Sequence, residues 1–284
     1  MEQDYMIAGF RLRVEGEPLV AAVAGIAGFR VFAVETSGEA HFRFAYATEG
    51  APEMQKQLYH TAMEQTRNSF GRYAGGYLFE SSYIDSPLLK AWIEDGKRTA
   101  HFTGNLNRDL LRFACWIALG VLMAPEKAVA IHTSTIVYRD KAVLFLGESG
   151  TGKSTHTRLW RENIEGATLL NDDSPIVRIH NGRPFVYGSP WSGKTPCYKT
   201  ECYELVGCVR LSQAPYNEIR KLRVMEAYGA LHPSCPPDFA YDDHLYDCIS
   251  EVLNDVLTCV PVYHLACLPN ADAARLSCKT IFGA

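Results

Sequence analysis

Several features that would make this chain easy to classify are missing. None of its nine cysteines, Cys115, Cys197, Cys202, Cys208, Cys235, Cys248, Cys259, Cys267 and Cys278, forms a C-x-x-C pair, so the ligand spacing of a structural zinc site is absent. An odd count without a secretory leader points to reduced thiols in a cytoplasmic setting, most of them serving as small buried apolar groups. The start, MEQDYMIAGFRLRVEG, places acids before its first apolar run and lacks a cationic leader region. The most apolar stretch, FACWIALGVLMA from Phe113, follows Arg112 and is too short to cross a bilayer, so it reads as a buried helix. A net charge of −4 lacks the basic excess that nucleic-acid binding uses, although a local basic groove stays compatible with it. No segment repeats at a fixed period and no tract is of low complexity.

What is present suits one large or two smaller soluble domains in 284 residues. FRLRVEG from Phe10, FRVFAVET from Phe29 and HFRFAYAT from His41 alternate with the period of a half-buried antiparallel sheet. Residues 51–68 have the acid and base density of a helix, and GGYLFESSYID returns to strand. NRDLLRFACWIALGVLMAPEK reads as a helix capped by Asn107 and stopped near Pro125, bridging two lobes. The expected division is a smaller β-rich lobe over 1–126 and a nucleotide domain over 127–284. Within the latter, two β-rich runs join at Tyr138-Arg139-Asp140, and Asn181-Gly182 marks a hairpin. DDHLYDCISEVLNDVLTCV aligns Leu245, Ile249, Val252, Val256 and Leu257 on one helical face. A strand, PVYHLACL, and a last helix close the chain.

The segment AVLFLGESGTGKSTHTRLW, residues 142–160, carries the chemistry. Gly147, Glu148, Ser149, Gly150, Thr151, Gly152, Lys153 and Ser154 fit G-x-x-x-x-G-K-[ST] at every fixed position, between an apolar strand and a helix. Glycines let backbone N–H groups turn onto phosphate, and the helix start supplies a positive end. Lys153 is placed at the β- and γ-phosphates of ATP, Ser154 on Mg²⁺, and Thr155 beside them. About twenty residues on, Asp172-Asp173 end the short strand ATLL. Such a pair reads by itself as a turn or cap leading to Ser174-Pro175. Downstream of a phosphate loop it reads as a metal site plus a proton acceptor: Asp173 with Ser154 on the metal, Asp172 sharing that site and taking the proton.

These residues resemble the C-terminal domain of HPr kinase/phosphorylase and, more distantly, phosphoenolpyruvate carboxykinases. The loop G-E-S-G-T-G-K-S, the acid pair Asp172-Asp173, and His132 in AVAIHTSTIV one hairpin before the loop carry the likeness. It implies an α/β (α+β) fold with a carboxykinase-like nucleotide domain, a mixed sheet and a P-loop, and it makes His132 an active-site group. Apart from the resemblance, a histidine in a β-rich run is more often a satisfied core residue. GSPWSGKTPCYKTE from Gly188 and VPVYHLACLPNADAARL from Val260 look like a bacterial branch of HPr kinase-related proteins. The E-V-R-G-L-G-type signature after the acid pair is replaced by Trp191-Ser192-Gly193-Lys194-Thr195, so neither HPr as substrate nor phosphorolysis is carried over. Carboxykinase activity is not carried over either, because its manganese and oxaloacetate ligands cannot be assigned.

The segment around Trp191 reads as a surface turn or as a flap over phosphate, with Lys194 neutralising transferred charge. Arg210 is a candidate phosphate or base contact, while Arg220, Lys221 and Arg223 read as a solvated face. Glu201 is a weaker candidate carboxylate, and His156 either faces the nucleotide or packs. The expectation is an ATP- and Mg²⁺-dependent kinase acting on a serine-type hydroxyl of a protein, peptide or small molecule. Its catalytic residues would be Asp172, Lys153, His132 and Lys194. The alternatives are a nucleotide-binding accessory protein and an NTPase switch. Neither nucleic acid nor membrane is expected as a partner, and self-association and ATP-versus-GTP preference stay open.

Overall fold

The structure, a computed structural model, describes residues 1–62, 65–193 and 195–283. Contacts divide the chain into two compact units, Met1–Glu126 with Pro237–Tyr246, and Lys127–Pro236 with Asp247–Ala284. Both are mixed α/β, and each is built on one large mixed sheet.

The first unit opens with a hairpin of β1 (Glu2–Ile7) and β2 (Phe10–Glu15). Next come α1 (Glu17–Ala24), α2 (Ala27–Phe32), β3 (Ala33–Val34) and β4 (Phe42–Tyr46). A meander follows through β5 (Lys56–Ala62), β6 (Thr66–Tyr73), β7 (Gly76–Tyr83), β8 (Leu89–Glu94) and β9 (Thr99–Gly104). The sheet order is β3-β1-β2-β4-β9-β8-β7-β6-β5. β4 runs parallel to both neighbours, β2 and β9, which corrects the antiparallel expectation. Alternation has the same period in both kinds of pairing, so it cannot report direction. α3 (Arg108–Met123) packs on β7 and β8, and the Asn107 side chain accepts the Asp109 N–H at its start.

Three expectations fail in this unit for identifiable reasons. Residues 29–32 are helical rather than extended: Phe29 and Phe32, one turn apart, are buried while Val31 is exposed. Within the stretch 51–68, residues 56–62 and 66–68 lie in strands rather than a helix. β5 lies at the sheet edge with both faces largely solvated, so it has no apolar alternation to betray it. Finally, Pro237–Tyr246 groups with the first unit although the sequence placed it in the second. The Phe239 ring sits against Gly120 and 5.7 Å from the Phe70 ring, filling a gap in that core.

The second unit starts with β10 (Ala128–Ala130) and the hairpin β11 (Thr133–Tyr138) and β12 (Lys141–Leu146). Arg139 and Asp140 turn it with positive φ. α4 (Lys153–Asn163) leads to β13 (Thr168–Asp173), and β14 (Ile176–His180) pairs with β15 (Arg183–Tyr187) through Asn181-Gly182. The long β16 (Cys202–Gln213), β17 (Glu218–Lys221), α5 (Val224–Leu231), α6 (Asp243–Cys259) from Asp247 onward, β18 (Val262–Cys267) and α7 (Ala271–Phe282) complete it. The sheet path is β10-β14-β15-β16-β12-β11-β13, with β18 alongside β16 and β17. β12 and β18 both run parallel to β16.

Every residue of β12 after Lys141 is buried, which explains its unbroken apolar run: a central strand is covered on both faces. Burying each Val, Leu or Phe there contributes about 1.5–3 kcal/mol, so the strand that carries the glycine loop is firmly anchored. Along α6, Leu245, Ile249, Val252 and Val256 are buried as expected, but Leu253 completes the stripe and Leu257 is only partly buried. No disulfide joins any of the nine cysteines, all of which lie among the described residues. Four are buried, and burial pushes the Cys208 and Cys235 thiols up to about 12.

Candidate functional site

β12 ends at Leu146 and the chain turns at once, Gly147, Gly150 and Gly152 taking φ of 153°, 83° and 108°. Gly152 is the N-cap of α4 and no side chain caps that end, so first-turn N–H groups keep their capacity to bind an acceptor. A Cβ on Gly150 or Gly152 would meet nothing within 4 Å. Backbone conformation, not crowding, therefore demands glycine here, and the space over the loop is open. The Glu148 carbonyl holds the turn by accepting from the Thr151 N–H at 3.1 Å and the Thr151 hydroxyl at 2.7 Å.

Lys153 curls back over this loop, its Nζ donating to the Gly147 carbonyl at 2.7 Å and that of Glu148 at 3.3 Å. Burial holds its ammonium below the ordinary lysine value, against the opposing pull of Glu148, Asp172 and Asp173. A cation so placed gains when an anion enters beside it. The Glu148 side chain is engaged elsewhere, Arg210 Nη2 donating to its Oε1 at 2.7 Å, while Arg210 Nη1 donates to the Ala230 carbonyl. The sequence had offered Arg210 as a phosphate or base contact; here it braces the loop from the side.

The acid pair ends β13, which pairs with β11. The Ser154 hydroxyl donates to Asp172 Oδ1 at 3.1 Å. Asp172 is 9% exposed, whereas the Asp173 side chain is 28% exposed, and its Oδ1 lies 3.4 Å from His132 Nδ1. His132 sits between β10 and β11 with a half-exposed ring, fastened by its backbone N–H to the Ser234 carbonyl at 2.7 Å. It is therefore not a buried core histidine. His132, Ser149, Gly150, Gly152, Lys153, Ser154, Thr155, Asp172, Asp173 and Gly193 all line one cleft of about 400 Å³.

Two supports escaped the sequence. Asn171 is fully buried: its Oδ1 accepts the N–H groups of Asp173 at 3.1 Å and Ser174 at 3.0 Å, and its Nδ2 donates to the Trp191 carbonyl at 2.9 Å. One amide thus shapes the acid turn and ties it to the following loop. The run Asn-Asp-Asp-Ser-Pro was the available signal, since asparagine binds its own backbone two residues on. Gly193 is the second. Its N–H donates to the Asp172 carbonyl at 2.8 Å, and a Cβ there would lie 2.7 Å from that oxygen.

Trp191 is buried, so its loop docks on the acid strand instead of waving free. Lys194 lies outside the described residues. Glu201 is exposed and is not among the residues lining the cleft. Arg220 pairs with Glu226. His156 is 2% exposed and packed, its Nε2 accepting the Trp160 indole N–H at 3.2 Å, and burial pulls it down to about 4, yet it also contributes to the wall of the cleft beyond the loop. On the other side of the loop lies a second cleft, of about 530 Å³. It shares Gly150, Gly152 and Thr155 and is walled by Leu159, Leu211, Leu268 and Pro269.

No family model and no curated protein matches the chain. Among solved structures, the Hpr(Ser) kinase/phosphatase from Coxiella burnetii is similar at 14% identity over 54% of this chain and 87% of that one, with a TM-score of 0.30. A likeness of that size leaves the activity to be argued from the site itself.

Proposed function

We propose that the second unit binds ATP and transfers its γ-phosphoryl group to a hydroxyl acceptor, a serine-type alcohol on a protein, peptide or small molecule. The reading rests on one observation: Lys153, Ser154, Asp172, Asp173 and His132 line one cleft beside an uncapped, glycine-turned helix start. The phosphates would lie over Gly150 and Gly152, where the loop is open, against the first-turn N–H groups and Lys153. The apolar second cleft, continuous with the loop through Thr155, suits the nucleoside end.

Mg²⁺ prefers a few protein oxygens plus phosphates and water, which the Ser154 hydroxyl and Asp172 carboxylate fit. Among the described residues no group of three or more His, Cys, Asp or Glu forms a metal cage. When bound, the ion would neutralise charge on the β- and γ-phosphates.

The Ser154–Asp172 hydrogen bond favours Asp172 on the metal side and leaves Asp173, the more exposed acid, as proton acceptor. That reverses the division of labour the sequence suggested. In the step, an O–P bond forms from the acceptor hydroxyl to the γ-phosphorus as the bond to the β-bridging oxygen breaks, and ADP leaves. The hydroxyl proton passes to the Asp173 carboxylate, beside which His132 is positioned to share it. Lys153 steadies the charge that builds on the transferred group.

The test is transfer of labelled γ-phosphate to a panel of hydroxyl-bearing peptides and small alcohols. Asp173→Asn should lower transfer at least 100-fold while changing ATP affinity by less than threefold, and Asp172→Asn should weaken Mg²⁺-dependent ATP binding. If Asp173→Asn transfers as well as the parent, the base is misassigned. Tight ATP binding with neither transfer nor hydrolysis would point to an accessory role instead, and steady phosphate release to water to an NTPase switch.

A further inference from the structure

The nine-stranded sheet of the first unit ends unequally. At one edge β3 holds two residues, Ala33–Val34, whereas at the other β5 runs for seven, Lys56–Ala62. The ladder fixes which way the β5 backbone points. The Ile84 N–H donates to the Gln65 carbonyl in line with the β6–β7 register, so odd-numbered residues of β6 bond to β7 and even-numbered ones to β5. Tyr59 and Thr61, opposite Phe70 and Asn68, therefore turn their N–H and C=O groups inward to β6. His60 and Ala62, opposite Ser69 and Arg67, turn theirs out to the open edge. Both residues are exposed, and no backbone group of a described residue bonds to them there.

β5 and β6 carry Lys56, His60, Arg67 and Arg72 and neither Asp nor Glu. Glu64, the one acid between them in the sequence, lies outside the described residues. Arg72 is committed to Asp95 at 2.7 Å. Lys56 and Arg67 are exposed, with no ion-pair partner among the described residues. Arg67 stands opposite Ala62, whose small side chain leaves the long guanidinium arm room to reach a strand laid beside β5. Alternating outward N–H and C=O groups match one ligand shape, an extended peptide backbone. The two cations select its charge. A second copy paired antiparallel on the same edge would bring Lys56 of one chain towards Arg67 of the other, and like charges so placed repel. We propose that β5 takes an added strand from a partner protein, an extended acidic segment whose backbone pairs with His60 and Ala62 and whose carboxylates meet Lys56 and Arg67.

Nuclear magnetic resonance of the labelled intact chain tests this with three end-capped heptapeptides. The first is Thr-Glu-Val-Glu-Val-Glu-Thr, the second has lysine in place of each glutamate, and the third is the first with its five central nitrogens methylated. The acidic peptide should slow water exchange of the His60 and Ala62 amides at least tenfold at saturation, and should bind at least tenfold more tightly than either of the others. His60→Pro removes an outward N–H and no β5–β6 bond, so it should weaken binding at least tenfold. Reversing both charges, Lys56→Glu with Arg67→Glu, should make the lysine peptide the tighter binder. No binding of the acidic peptide at about 2 mM overturns the proposal, as does equal binding of the lysine or the methylated peptide. Those arms use the parent chain, so none depends on a variant folding. Concentration-dependent self-association abolished by His60→Pro would make a second copy of the chain the occupant, and would overturn it too.

Discussion

Acidification should weaken the second unit most through His156, with His264, which burial also holds below its ordinary value, acting in the same sense. Burial holds its pKa at about 4 in the folded chain, against an ordinary unfolded value near 6.5. The folded state therefore keeps the ring neutral, accepting from Trp160, over a range in which the unfolded chain takes up a proton. Because the folded value is depressed, the stability is fully present above about pH 6.5 and lost as pH falls towards 4. Integrating the linkage from pH 7 to 5 gives a loss of about 2 kcal/mol, rising to about 3 kcal/mol near pH 4. Asp238 in the first unit works in the opposite sense: burial pushes it up to about 6, so acidification favours its folded form. The clean measurement is hydrogen-exchange protection of α4 and α7 amides at both pH values, in the parent and in His156→Gln. Subtracting the two removes contributions they share, Asp238 included. Protection in the parent should fall by about 2 kcal/mol more than in the variant. Identical pH slopes would refute the assignment of a neutral, buried ring.

Gly193→Ala puts a methyl 2.7 Å from the Asp172 carbonyl, so the loop must retreat and its N–H bond to that carbonyl must lengthen. A cost of about 1–3 kcal/mol by thermal unfolding and a tenfold or greater fall in phosphoryl transfer are expected; unchanged transfer would detach this loop from the reaction. Asn171→Ala removes the acceptor of two backbone N–H groups and leaves the Trp191 carbonyl with the Ser189 hydroxyl, at 3.2 Å, in place of two donors. It should destabilise by about 2–4 kcal/mol in urea titration, and a loss below 1 kcal/mol would mean water replaces the amide.

What was legible in the sequence was local chemistry. The glycine loop, the Asn181-Gly182 turn and the Asn107 cap each follow from the conformational demands of residues adjacent in the chain. What was hidden depends on partners far along it. The direction of β4 is set by the crossovers through α1 and α2, not by its own alternation. β5 is a strand because β6 pairs with it, although its composition suits a helix. Phe239 belongs to the first core because a gap opposite Gly120 accepts its ring, and nothing in its neighbours reports that gap. The same holds inside the site. Asp172 and Asp173 were visible as an acid pair, but the residue that orients them bonds to the carbonyl of Trp191, twenty positions away.

That orientation is what makes two adjacent acids usable as one site. Successive side chains of a regular strand point to opposite faces of the sheet, so a pair in mid-strand would put one carboxylate in the cleft and the other behind it. Here both line the same cleft. β13 stops at Asp173, and Asn171 gathers the next two N–H groups onto its own side chain, bending the chain where pairing would have continued. Gly193 then occupies the space beside the bent segment that a larger residue would contest, and its N–H meets the Asp172 carbonyl. The carboxylates thereby acquire different neighbours, Ser154 for one and His132 for the other. Different neighbours are the physical condition for different roles, since two identical acids in one environment would compete for a single proton rather than divide the work.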